Sequence, residues 1–273
     1  MYFTEKEDFL NILSKYIKNI KSINKITKGW TNIVFDIETD KENYIARFPR
    51  NNFFSKQIEK DVIANKYLRE KINLKAPEME ICYNNGRPFS IHKKIEGKDL
   101  SKRLDNLSSE KIDNITKEIA EFYYTIHTMD ISDIPEITNI KLSDFLSELA
   151  KVDDDYYDYS LLEELERDEE NNLVFVHGDL NIGNILLNEN DEINAFLDFS
   201  FTGLSDIYCD LSRISCRVND DFLNKILNSY EVLSGKKLDL NKIQKRNDMW
   251  KYIEEQYIVY MKKYHPEIEI PEL

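Results

Sequence analysis

The chain of 273 residues (32.4 kDa) carries 37 Lys+Arg against 51 Asp+Glu, a formal net charge of -14 and a pI of about 4.9. That balance argues against nucleic acid as a partner, because phosphate backbones are bound by surplus positive charge. With 41% apolar and 12% aromatic residues and only 7 Gly and 6 Pro, wholesale disorder, collagen-like repeats and low complexity are excluded, and the length fits one large domain or two lobes.

From the N-terminus, Phe9, Ile12, Leu13, Tyr16, Ile17 and Ile20 recur at three- and four-residue intervals, which predicts an amphipathic helix over residues 4 to 20. The period then changes. Ile33, Phe35 and Ile37 alternate with polar positions, Asp40-Lys41 makes a turn and Tyr44 to Phe48 is again extended, so residues 23 to 48 read as antiparallel strands. A helix from Ser55, its expected N-cap, to Lys71 turns Ile58, Val62 and Leu68 inward. Met79 to Tyr83 and Pro88 to Lys94 flank Asn84-Asn85-Gly86-Arg87, a hairpin connection of the Asn-Gly kind. Beyond Glu96-Gly97 the pattern becomes helical over residues 109 to 128 and 142 to 150, with short apolar strands at Leu173 to Val176, Ile185 to Leu187 and Ile193 to Leu197, and helices again from Asp210 on. The acidic run from Asp153 to Glu170 reads by default as a solvated face, the sharper alternative being a rim that recruits cations.

Met1 to Asp8 lacks a basic stretch leading into an apolar one, and no run approaches the ~18 apolar residues needed to span a bilayer, so no membrane is expected. Cys82, Cys209 and Cys216 are scattered without a C-x-x-C pair, which supports neither a disulfide framework nor a zinc knuckle and places the protein in a reducing cytoplasm. His92, His127 and His265 have no ligand-like spacing and read as packing or surface residues.

The informative stretch is Val176-His177-Gly178-Asp179-Leu180-Asn181-Ile182-Gly183-Asn184-Ile185-Leu186, followed by Leu197-Asp198-Phe199. Two short strands hold a loop containing His, Asp and Asn, and a third strand ends at a second Asp. Metal-assisted phosphoryl transfer needs this set: a carboxylate near the acceptor hydroxyl, and an amide oxygen and a second carboxylate as hard ligands for Mg²⁺. Asp179 and Asn184 keep the kinase catalytic-loop spacing D-x-x-x-x-N, and Asp198-Phe199-Ser200 stands where a metal-binding D-F-G would be.

On these residues the chain resembles the aminoglycoside phosphotransferases and related small-molecule kinases, over most of its length. His177-Gly178-Asp179, the segment Gly29-Trp30-Thr31-Asn32-Ile33-Val34-Phe35, Ser205-Asp206 and Asp210-Leu211 carry the likeness, with the 2″-phosphotransferase branch nearest. The resemblance implies an α+β, bilobal, protein-kinase-like fold: a small N-lobe with an antiparallel sheet (residues 1–95, nucleotide-binding and including the hinge) and a larger, mostly helical C-lobe (96–273). It implies that Asp179 handles the acceptor's proton, His177 supports the loop, and Asn184 and Asp198 hold Mg²⁺ on ATP or GTP. Trp30, Thr31 and Asn32 would form a short nucleotide loop, Lys93 to Ile95 the hinge, and Asp206 and Asp210 would brace the loop and the next helix. Arg47 falls where a strand Lys is usual, a planar fork in place of a point charge. Its helix partner is Asp61, with Glu59 as the competing choice. Ser200 replaces the Gly of D-F-G, and no full G-x-G-x-x-G is present.

The expected reaction moves the γ-phosphate to a hydroxyl of a cationic small molecule, an aminoglycoside first, giving antibiotic resistance. Asp206, Asp220, Asp221, Glu231, Glu254 and Glu255 are the carboxylates available to such an acceptor. The alternatives are a metabolite kinase of the choline, sugar or homoserine type and a non-catalytic kinase-like binding protein. The protein itself is expected as a monomer or homodimer.

Overall fold

The computed structural model describes residues 3–27, 31–150, 159–170 and 173–264. The first part is a five-stranded antiparallel sheet of order β1-β2-β3-β5-β4, built from β1 (Ile20–Ile26), β2 (Asn32–Thr39), β3 (Tyr44–Pro49), β4 (Met79–Asn84) and β5 (Arg87–Lys93). Alternation along β2 buries Ile33, Phe35 and Ile37 on one face, and Ala46 and Phe48 of β3 join them. Phe48 stacks on Phe89 at 4.6 Å between centroids, and Phe3 and Phe9 close the cluster edge-on. Arg47, between Ala46 and Phe48, is thereby turned to the opposite face, with Val34 as its cross-strand partner. Asn85 and Gly86, both at positive φ (52° and 74°), make the two-residue turn of the β4–β5 hairpin.

Two expectations need correction here. The N-terminal helix α1 is only Phe9–Leu13, capped by Asp8, whose carboxylate accepts from Asn11 N–H at 3.1 Å. Ile17 is still buried, so the apolar spacing continues through a turn, and Asn19 in the left-handed region (φ 55°) leads the chain directly into β1. Helix α2 (Asn52–Ile72) begins three residues earlier than expected because Asn51 is the cap, accepting from Phe54 N–H at 2.9 Å. Ser55 lies in the first turn and donates its hydroxyl to Asn51 O.

The second part is mostly helical. After a short strand β6 (Lys98–Asp99) come α3 (Ser109–His127), α4 (Leu142–Ala150) and α5 (Tyr159–Glu169), the strands β7 (Val174–Val176), β8 (Ile185–Leu187), β9 (Ile193–Phe196) and β10 (Gly203–Ser205), and then α6 (Ile207–Arg213), α7 (Asp220–Ser234) and α8 (Leu240–Tyr264). Ile115, Ile119, Phe122, Tyr123 and Ile126 of α3 pack against Phe196, Phe199, Phe222 and Tyr230 in the main core. A third cluster joins Phe54 of α2 to Phe145, Leu165, Met249 and Trp250, tying the sheet side to the helices.

Only part of the acidic stretch behaves as solvated surface. Residues 151–158 lie outside the described segments, but Glu169 is fully buried and accepts from Ser143 Oγ (2.5 Å) and Ser205 Oγ (2.6 Å). Asp168 pairs with Arg246 at 2.7 Å. These carboxylates stitch α5 to α4, β10 and α8.

Candidate active site

His177, Gly178 and Asp179 follow β7, and the loop returns into β8 through a 3-10 turn at Ile182–Asn184, where Asn181 Oδ1 accepts from Gly183 N–H at 2.9 Å. Gly178 sits at φ +77°, and a Cβ there would lie 2.4 Å from the Phe201 carbonyl oxygen, so the loop requires glycine. His177 is buried. Its Nδ1 accepts from Asp179 N–H at 3.2 Å and its Nε2 donates to Leu197 O at 3.2 Å, which links the loop to the residue before Asp198. Burial lowers the imidazole pKa, against the pull of nearby Asp210, Asp179 and Asp198, so the neutral tautomer these bonds require is favoured.

Asp210, at the middle of α6, braces the same loop. Its two oxygens accept from His177 N–H (2.9 Å) and Gly178 N–H (2.8 Å), and Oδ2 also takes a bond from His127 Nε2 at 3.1 Å. His127 Nδ1 in turn accepts from Tyr230 Oη at 2.9 Å. His127 is thus a packing residue with two polar partners, neither near it in sequence.

A cavity of about 520 Å³ opens beside the loop, lined by Thr31, Asn32, Arg47, Asp179, Asn184 and Asp198 among others. Asn184 Nδ2 donates to Asp179 O at 2.9 Å, fixing its amide so that Oδ1 is left for another partner. Asp198 stands in the left-handed region (φ 63°), with Oδ1 accepting from Ser200 Oγ at 2.6 Å and Oδ2 facing Arg47 Nη2 at 3.1 Å. The hydroxyl that replaces the D-F-G glycine is therefore used. Arg47 also donates through Nη1 to Asp61, whose other oxygen accepts from Phe199 N–H at 2.9 Å. This resolves the competition: Asp61 is fully buried and pairs with Arg47, whereas Glu59 accepts from Tyr83 Oη.

Burial outweighs the Arg47 charge at Asp61 and raises its carboxyl pKa. At Asp198 burial pushes upward too, but Arg47 and the Ser200 hydroxyl prevail and the pKa is lowered. Asp179 is raised by burial, with Arg213 holding it back and Asp198 adding to the rise.

Arg213 was not legible in the sequence. It ends α6, and its Nε donates to Asp179 Oδ1 at 2.6 Å while Nη1 pairs with Glu254 Oε1 at 2.8 Å. Arg217 Nη2 reaches the same Glu254 oxygen at 3.3 Å. Phe54, Leu149, Phe201, Trp250, Ile253 and Tyr257 form an apolar wall around this end of the cavity.

Several expected positions lie elsewhere. Of the carboxylates offered to a cationic acceptor, only Glu254 lines the cavity. Asp206 is buried, caps α6 through Tyr208 N–H at 2.8 Å and pairs with Arg246 at 2.9 Å, so it does not face an acceptor. Asp220 and Asp221 are in the exposed first turn of α7, Glu231 is bound to Lys237 and Leu238 N–H, and Glu255 points to solvent one residue from the cavity-facing Glu254. Lys93 and Ile95 do not line the cavity either: Lys93 pairs with Glu42 at 2.5 Å, and Lys94 N–H is spent on Asn43 O. Trp30 lies outside the described residues.

Among the described residues no cluster of three or more His, Cys, Asp or Glu side chains forms a self-sufficient metal site. Asn184 and Asp198 together offer an amide and a carboxylate oxygen, which fits a Mg²⁺ that takes its remaining ligands from phosphates and water.

Residues 22–232 match the family model described as the phosphotransferase enzyme family, APH. The chain belongs to this family. It is 28% identical over 233 residues to an aminoglycoside 3'-phosphotransferase of Acinetobacter baumannii, covering 77% of this chain and 86% of that one. Among solved structures, the GDP and kanamycin complex of APH(2″)-IIIa superposes with a TM-score of 0.72 at 16% identity, over 95% of this chain and 94% of the other. Macrolide 2'-phosphotransferase type I gives 0.67 at 15% identity, over 99% and 100%. At such identities the structures establish the fold, which is the bilobal kinase-like one. As a member of this family the protein is a phosphotransferase with an alcohol group as acceptor.

Proposed function

We propose that this phosphotransferase moves the γ-phosphate of ATP or GTP to a hydroxyl of a cationic small molecule, an aminoglycoside in the first instance, and so confers resistance. The observation that carries the proposal is the convergence of Asp179, Asn184, Asp198 and Arg47 on one cavity, with Asp61 of α2 buried behind Arg47, on elements as far apart as β3 and the β7–β8 loop. The relative named as an aminoglycoside 3'-phosphotransferase supports the acceptor.

In this reading residues 1–95 serve the nucleotide and 96–273 the chemistry and the acceptor. Arg47 binds the nucleotide phosphates, held in place by Asp61, and Thr31 and Asn32 close over them. Asn184 and Asp198 would hold a Mg²⁺, which would supply charge neutralisation on the phosphates. The acceptor oxygen forms its bond to the γ-phosphorus as the β–γ bridging bond breaks, and its proton passes to Asp179 Oδ2, the oxygen that Arg213 Nε leaves free. Because desolvation already raises Asp179's proton affinity, the carboxylate is a better base than one in water. No helix among the described residues is long and apolar enough to cross a membrane.

A metabolite kinase is the second reading. It is favoured by the charge balance of the cavity lining, where the carboxylates of Asp99, Asp179, Asp198 and Glu254 each already face a cation and Glu254 faces two arginines. A nucleotide-consumption assay over aminoglycosides, macrolides, choline, sugars and homoserine, run with ATP and GTP side by side, decides between them, and phosphorus NMR locates the modified hydroxyl. Asp179→Ala should abolish turnover and leave nucleotide affinity nearly intact. Wild-type turnover in that variant refutes the assignment.

A further inference from the structure

The guanidinium of Arg213 is gripped on three sides. Asp179 Oδ1 takes its Nε at 2.6 Å, Glu254 Oε1 faces its Nη1 at 2.8 Å, and the Trp250 ring lies against it at 5.3 Å. Trp250 is itself anchored, donating its indole N–H to Cys209 O at 3.2 Å. Glu254 shares its oxygen with Arg217 at 3.3 Å and sits one helical turn beyond Trp250 on the same face of α8. A fork held at both ends loses little freedom per bond, and its orientation sets which oxygen of Asp179 is left for the acceptor.

We propose that Glu254 is a positioning residue for the catalytic carboxylate: it acts through Arg213 to fix the rotamer of Asp179, and is not primarily a contact for the acceptor's amine. Without Glu254 the ion pair at Nη1 is lost while the Trp250 ring stays in place, so the guanidinium can slide along the ring, Nε shifts from Asp179, and both carboxylate oxygens sample positions unsuited to proton transfer. Glutamine at 254 keeps the side chain's size but removes the charge that the Nη1 ion pair depends on, and so holds the fork less firmly than glutamate and more firmly than alanine. The inference rests on the phosphotransferase reading for its consequence in rate, but not for its geometry.

The test uses the full-length chain with Glu254→Ala and Glu254→Gln, kanamycin as acceptor and Mg·ATP as donor. The Arg213 Nε–H resonance, identified by its loss in Arg213→Lys, is followed by NMR. Misplacing a reacting group by about 1 Å costs up to ~100-fold in rate, so Glu254→Ala should lower kcat at least ~10-fold with the kanamycin KM changed by less than ~3-fold. Its Nε–H should exchange with water at least ~10-fold faster, with Glu254→Gln, which keeps the side chain but loses the charge, falling between Glu254→Ala and the parent in both kcat and exchange. A raised kanamycin KM with unchanged kcat in both variants overturns the proposal, because Glu254 would then be an amine contact. Unchanged Nε–H exchange in Glu254→Ala overturns it as well. Should Glu254→Ala not fold, Glu254→Asp, one methylene short of Arg213, takes its place with the same expectations. If the parent enzyme transfers nothing to any acceptor, the functional reading fails, and the exchange measurement still decides whether Glu254 holds Arg213 on Asp179.

Discussion

Replacing Asp210 by Asn tests the brace beneath the catalytic loop. The carboxylate accepts from two main-chain N–H groups at 2.8 and 2.9 Å and from His127 at 3.1 Å, and its residue is fully buried. Asparagine offers one accepting oxygen and one NH₂, so either the His177 or the Gly178 N–H must face a donor. An orphaned buried N–H costs about 1–3 kcal/mol, and bonds to a charged acceptor are each worth about 1.5–3 kcal/mol, so the substitution should cost about 3–5 kcal/mol. For a chain of this size each kcal/mol lowers the melting midpoint by about 2–4 °C, which predicts a drop of about 6–20 °C by circular dichroism. Because the loop carries Asp179, kcat should fall at least ~10-fold in preparations that remain folded. A loss below about 1 kcal/mol in urea titrations with unchanged slope would show that the loop is held by something other than this carboxylate.

Gly178→Ala places a Cβ 2.4 Å from Phe201 O at φ +77°, and should cost about 2–4 kcal/mol in urea unfolding; Gly86→Ala, at φ +74° but with open space around it, should cost only about 1 kcal/mol, and equal losses would refute the steric argument. Arg47→Lys cannot reach Asp61 and Asp198 together, so the nucleotide KM should rise about 10-fold or more, with an unchanged KM counting against a phosphate role. Lys60 is buried with its Nζ 4.6 Å from the Phe145 ring centroid, and desolvation brings its pKa down to about 7 from 10.5. Between those values the unfolded chain binds the extra proton, so the penalty at Lys60 fades as pH rises through that window. Lys60→Met should therefore stabilise the fold by about 1–3 kcal/mol at pH 7 and by much less near pH 10; the same gain at both would refute the burial argument.

What the sequence disclosed follows from the range of the forces involved. Asp179 and Asn184 are five residues apart in one loop, so local spacing sufficed for them, whereas strand alternation only turns Arg47 from the sheet core and its role came from the resemblance to the family. Asp61 and Glu59 differ by two positions on one helix, and only the packing of α2 against the Asp198–Phe199 turn separates the fully buried residue from the half-buried one. The N-terminal helix was overextended because Ile17 and Ile20 pack against the same core as α1, so an apolar rhythm persists where the backbone has left the helix. Arg213 and its partners are 34 and 41 residues apart along the chain, a separation at which no periodicity speaks. Asp220, Asp221 and Glu231 sit on a helix whose apolar face was plain, but pattern alone does not say which way the polar face looks relative to a cleft.

The same distinction governs the charge. A chain of -14 invites the idea of an acidic cleft awaiting a polycation, yet among the described residues the charged side chains lining the cavity are four carboxylates, Asp99, Asp179, Asp198 and Glu254, against four cations, Arg47, Lys102, Arg213 and Arg217. They are matched pair by pair: Asp99 with Lys102, Asp179 with Arg213, Asp198 with Arg47, and Glu254 with Arg213 and Arg217. Desolvated carboxylates are costly unless paired, so this arrangement keeps the site ordered before any ligand arrives. Binding then proceeds by exchange of partners. In the proposed reaction nucleotide phosphates compete with Asp198 for Arg47, so nucleotide affinity reflects the difference between two sets of ion pairs, while Glu254 stays on its two guanidiniums. The surplus acidity lies outside this lining, where it acts at long range on the approach of cations and is screened within about 8 Å at physiological salt.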